Sequence, residues 1–161
     1  MYLWSIKNLK NDLISNLLTE NYKFFYFFIF VLLFTLFSEI GVFLPSESNI
    51  IDKVQSIVSI CIVIIGLVIA YRVNGGNTGK DFLTRAISLY VVLSIRFIAF
   101  TLVAIASYSL FLWAISLIIP NQYMGDVANG VTVVFMPLFE ILFYWRFIIH
   151  IRDVRKGELK T

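Results

Sequence analysis

The sequence predicts an all-α integral membrane protein: four transmembrane helices and an N-terminal amphipathic helix lying at the membrane surface. Three observations predict it. Of the 161 residues, 60% are hydrophobic and only 14% are charged, against about 25% charged in soluble domains. The charges are bunched, leaving four long stretches nearly free of them. Each stretch approaches or exceeds the roughly 20 apolar residues that a helix needs to cross about 30 Å of hydrocarbon. Spans at about 24–44, 54–71, 97–119 and 131–151 take up most of the chain and leave room for one membrane domain, 24–151.

Residues 1–23 are read as a cytoplasmic-side leader, not a secretory signal, because the apolar run behind them is too long for an h-region. Ile6, Leu9, Leu13 and Leu17 recur at helical spacing, with Asn8, Asp12, Ser15, Asn16 and Thr19 on the opposite side. That pattern suits a helix in the membrane interface with Trp4 as an anchor. The first span carries seven phenylalanines between Phe24 and Phe37. A helix apolar all round and poor in small residues faces lipid. Glu39 lies near its outer end, and the polar residues at 45–49 form a turn.

In the second span Gly66 and Ala70 make a small-xxx-small step on which another helix can pack. The polar stretch 72–85 contains Gly75, Gly76, Gly79 and Lys80. It is not a phosphate loop: the spacing is wrong, Asp81 follows the lysine, and a helix rather than a strand precedes it. A glycine-rich turn accounts for it better. Residues 86–119 contain Arg96 as their sole charge. Such a length exceeds the bilayer, so 86–95 is taken as a cytoplasmic-side extension, with Arg96 snorkelling at the interface. A turn at 121–129, the fourth span and a frayed basic tail at 152–161 complete the chain.

Lys7, Lys10, Lys23, Arg72, Lys80, Arg85, Arg152, Arg155, Lys156 and Lys160 fall on one side of this arrangement, and Lys53 alone on the other. The positive-inside rule therefore puts both termini in the cytoplasm. Compactness and basic loops point to a bacterial cytoplasmic membrane.

Glu140 stands near the middle of the fourth span, where an ionisable group is costly and marks a functional candidate. Equal depth from the outer turn places it level with Tyr108, flanked by Ser107 and Ser109, and these four form the candidate intramembrane polar site. Arg96 is set about 18 Å too deep to pair with it. The bland role for Glu140 is to tie helices together by hydrogen bonds; the sharper one is a titrating group in an ion or proton path. Pro137, one turn earlier, removes a helical hydrogen bond beside it. Gly66, Ala70 and Ala104 are expected at helix-packing surfaces, and Arg96, Trp145 and Arg146 as interfacial anchors.

Enzyme classes find no support. Cys61 is the single cysteine and His150 the single histidine, which excludes a CxxC redox pair, a bis-histidine haem and a histidine-rich metal site within one chain. Neither a nucleophile elbow nor a zincin motif occurs. The expected role is a non-enzymatic, membrane-embedded interaction module without cofactor or nucleic acid. Its partners are the lipid bilayer and either itself or another membrane protein. The alternative is an oligomeric ion or proton channel or transporter that uses Glu140.

Overall fold

The computed structural model describes residues 2–43, 50–116 and 124–158, and it is all-helical there. The order is α1 (Ile6–Ile14), α2 (Glu20–Phe43), α3 (Ile50–Val73), a 3₁₀ turn (Gly76–Thr78), α4 (Phe82–Ser116) and α5 (Met124–Glu158). Three stretches are long and apolar enough to cross a membrane: Asp52–Val73, Phe82–Ser116 and Val134–Gly157. The turn expected at 45–49 and the end of the expected third span, 117–119, lie outside the described residues, as does the Glu39 side chain.

Two boundaries differ from the sequence reading. α5 starts at Met124, so most of the expected 121–129 turn is helix. Its other end runs on to Glu158 instead of fraying at 152. Helix propagation is cheap once nucleated, and the long apolar run carries the helix outward at both ends. α4 is one helix from Phe82 to Ser116, about 52 Å long at 1.5 Å per residue, with the expected 86–95 extension continuous with the span.

Of the consecutive long helices, α4 and α5 pack together, while α2 and α3 each pack chiefly on a helix further along the chain. α3 packs chiefly on α5, α5 on α4, and α4 on α2. The first of these contacts depends on Gly66: a Cβ there would lie 2.3 Å from Cδ1 of Tyr144, so α3 reaches α5 only because position 66 lacks a side chain. Ala70, one turn on, is wholly buried. The small-residue step is therefore spent inside the chain, because close approach of two backbones needs side chains no larger than these. Phe147, Ile151 and Val154 of α5 and Leu89, Val91 and Val92 of α4 are also fully buried. Tyr90 joins three helices edge-to-face, with ring centroids 5.6 Å from Phe30, 5.0 Å from Phe143 and 6.1 Å from Phe147. Such aromatic pairs are worth about 0.5–1.5 kcal/mol each beyond the area they bury.

The leader closes the same end. Ile6, Leu9 and Leu13 of α1 are buried against α5 and α4, so these members of the expected stripe meet protein, while Leu17, beyond the end of α1, is exposed. Three polar ties hold it. The Tyr26 hydroxyl accepts from the Tyr2 amide at 3.1 Å and donates to the Tyr2 carbonyl at 3.0 Å. Arg96 donates through Nε at 3.0 Å, and through Nη2, to the Trp4 carbonyl, while its guanidinium covers the Trp4 ring at 5.5 Å. Lys10 pairs with Asp153 at 2.9 Å. Arg96 thus helps to dock the leader through the carbonyl and ring of Trp4. At Gly157 a Cβ would meet Ile14 at 2.4 Å, so α1 also rests on the stretch that the sequence presents as a free tail.

Replacing Gly66 with leucine is expected to destabilise the protein by about 1–3 kcal/mol through overpacking. In a Tyr144→Ala background the same change should cost less than half as much, because the clashing ring is gone. Unfolding titrations in mixed micelles of the two single variants and the double variant check this; additive losses would show that the two side chains do not meet.

Candidate functional site

Gly66 and Tyr144 fix the register between α3 and α5, and that register sets the surroundings of Glu140. One heptad from Gly66, on the same face of α3, stands Ser59. Its hydroxyl donates to Oε1 of Glu140 at 2.8 Å. Oε2 of Glu140 is buried and has no hydrogen-bond partner among the described residues. The carboxyl group lines a hollow of about 290 Å³ with Tyr90, Ser94 and Thr101 among its walls. Pro137 lies within α5 one turn away.

The expected Ser107–Tyr108–Ser109 neighbourhood does not form around Glu140. Ser107 and Ser109 donate to the carbonyls of Val103 and Ile105 on their own helix, both at 2.9 Å, and are exposed. Tyr108 does not line the hollow that holds Glu140. The cause is register. Phe97 lies 5.4 Å from Phe139 and 5.0 Å from Phe143, which puts Glu140 level with Phe97 and Ile98, roughly ten residues or 15 Å from Tyr108. Reading 121–129 as a turn displaced the fold-back point toward α5 and so misaligned the two antiparallel helices. The depth difference that separated Arg96 from Glu140 disappears with it, but the guanidinium is engaged by Trp4 on the leader.

Of the other expected site residues, Gly66 and Ala70 lie at the contact of α3 with α5. Ala104 is half-buried on α4. Trp145 and Arg146 are exposed, with the guanidinium 5.7 Å from the Trp145 ring centroid. Cation–π pairs of this kind are worth about 0.5–1 kcal/mol at exposed sites. His150 is half-buried, and its Nδ1 is buried without a hydrogen-bond partner among the described residues.

Comparison of the chain with protein-family models, curated proteins and solved structures finds no match. The chemistry must be argued from the residues alone. Among the described residues no three His, Cys, Asp or Glu side chains gather to hold a metal ion. The loop at 74–80 is committed to structure: Gly75 has φ +109°, while Asn74 accepts from Arg85 at 3.1 Å and donates to the Lys80 carbonyl at 3.3 Å. Its glycines make the turn and leave no phosphate cradle. What remains on α5 is one carboxyl group with one engaged oxygen, in a hollow whose other polar groups are hydroxyls. Such a set can hold or pass a proton and can accept hydrogen bonds.

Ser59 escapes a reading of the sequence because its partner helix is not visible there, although Ser59, Gly66 and Ala70 recur on one face and so announce a small-residue stripe. Ser59→Ala and Glu140→Gln should show a coupling of about 0.6–2 kcal/mol in a double-mutant cycle, the range for hydrogen bonds between membrane helices. Ser109→Ala should show no coupling to Glu140→Gln. The opposite ranking in the same unfolding assay would contradict this register of α5 against α3.

Proposed function

We propose that this chain is a four-span membrane protein with both termini in the cytoplasm, acting as a non-catalytic, membrane-embedded interaction module. α2, with 24 residues, joins the three long apolar helices as the remaining span. The leader rests on the cytoplasmic end of the bundle, where exposed Leu3, Trp4 and Leu17 reach the membrane interface. The basic residues gathered at that end set the orientation, and a bacterial cytoplasmic membrane fits the compact form.

One observation carries the interaction reading: among the described residues, burial gathers at one end of the bundle. Every fully buried side chain among the described residues lies in the half that holds the termini. Beyond Thr101 the helix α4 is exposed around most of its circumference, from Leu102, Val103 and Ile105 through Ala106, Ser107 and Ser109 to Leu110 and Phe111. None of the described residues covers this stretch, and it presents small and hydroxylated residues of the kind through which membrane helices associate. Ala104 borders it. A second copy is the first partner this surface fits.

Single-molecule photobleaching in liposomes is expected to show dimers or larger assemblies, with association falling about tenfold (about 1.4 kcal/mol) when Ala106 or Ser109 becomes leucine. Monomers alone would refute assembly through α4. Labelling of an Asn49→Cys variant from outside the cell, and not from the cytoplasmic side, is the outcome that the orientation requires.

A second reading is supported by the unengaged Oε2 of Glu140 and the hydroxyls around it: a proton or ion path. It requires flux in liposomes containing the wild-type protein and loss of that flux in Glu140→Gln. Equal permeability of the two preparations would leave Glu140 as a tie between α3 and α5.

A further inference from the structure

We infer that the gap between α2 and α3 seats one glycerophospholipid with a zwitterionic, primary-amine headgroup, drawn from the leaflet at the end that carries the termini. The inference does not rest on assembly through α4. α2 and α3 stand apart, each held by a different helix, and between them lies a groove of about 590 Å³. Ala86 and Tyr90 of α4 form its floor, with Phe30 and Phe34 on one side and Val63 and Leu67 on the other. Toward the termini it shares Leu83 and Ile87 with a second hollow, where Glu20, Lys23, Thr84 and Ser88 appear. That hollow in turn shares Lys23 and Thr84 with a small cleft lined by Asp12, Asp81 and Arg85.

The polarity of the occupant is therefore set: charged at the rim and apolar below. The described part of the groove and its rim are also one leaflet deep. From Lys23 to Phe34 is roughly 16 Å along the helix, about half the hydrocarbon thickness and so one leaflet. A partner's transmembrane helix must cross both leaflets and is about 10–12 Å wide with its side chains. A lipid chain is narrower and ends at the midplane. The rim also selects a headgroup. Glu20 and Lys23 are already paired at 2.7 Å, and the remaining cleft adds the carboxylates Asp12 and Asp81 and the guanidinium of Arg85, itself bonded to Asn74. Carboxylates there favour a primary ammonium, which donates hydrogen bonds, over a quaternary ammonium, which has none to donate. They oppose a purely anionic headgroup. Lys23 and the Thr84 hydroxyl are placed for the phosphate.

The test is native mass spectrometry of the full chain in mild detergent with phosphatidylethanolamine, phosphatidylcholine and phosphatidylglycerol supplied at equal concentration. One bound phosphatidylethanolamine is expected, preferred about tenfold, the difference that a charge-assisted hydrogen bond makes. Leu67→Trp and Leu83→Trp, at exposed positions that line the groove, should reduce the adduct by a similar factor while circular dichroism stays unchanged. Asp81→Asn should keep a lipid but lose the headgroup preference; asparagine tolerates the φ of +45° at this position. Equal retention of the three lipids by the wild type would overturn the proposal, and this readout needs no variant. An adduct indifferent to both tryptophan variants would overturn it too, as would a lipid-free dimer that Leu67→Trp dissociates, since a second copy would then occupy the groove.

Discussion

The missing side chain at Gly66 is the constraint on which the arrangement depends. Because the Tyr144 ring lies where a Cβ would be, α3 and α5 meet closely enough to share a face. Their register brings Ser59 to Glu140. It also turns Phe143 and Phe147 toward Tyr90, so that rings on the neighbouring face of α5 hold α4. α3 is held chiefly by α5 and α2 by α4, and the groove lies between the two pairs, over Ala86 and Tyr90. In lipid, where apolar surface gains little by leaving its solvent, such fit between small and large residues is a principal source of helix association.

The second constraint acts at the end that carries the termini. There the leader is tied to α2 through Tyr26, to α4 through Arg96 and to α5 through Asp153. Three helices that arrive from different parts of the chain are thus bound to one short element. The Lys10–Asp153 pair is partly exposed, and pairs of this kind contribute only about 0–1 kcal/mol. The buried stripe of Ile6, Leu9 and Leu13 does more to hold α1, and the polar ties set its direction. Among the described residues, burial fades along α4 beyond Thr101.

Composition alone made the helical class legible, along with the long apolar helices. The cost of a mid-span carboxylate made Glu140 legible, and residue size made the Gly66–Ala70 step legible as a place of close approach. What each of these meets was not legible, because apolar periodicity carries no information on which helix lies opposite. Gly125, Asp126, Asn129 and Gly130 have turn chemistry, yet α5 already contains them. That shift in the fold-back point moved the presumed neighbour of Glu140 to Tyr108. The leader shows the same limit: its stripe fits a membrane surface and a protein surface equally, and only the positions of Tyr26, Arg96 and Asp153 decide between them.

The register of α5 against α3 and α4 is the central claim, and paired-cysteine crosslinking in membranes tests it most directly. In a Cys61→Ala background, Ser59→Cys combined with Glu140→Cys should crosslink rapidly with a short thiol reagent, while Tyr108→Cys combined with Glu140→Cys should not. Efficient crosslinking of the second pair and none of the first would contradict this arrangement of α3, α4 and α5.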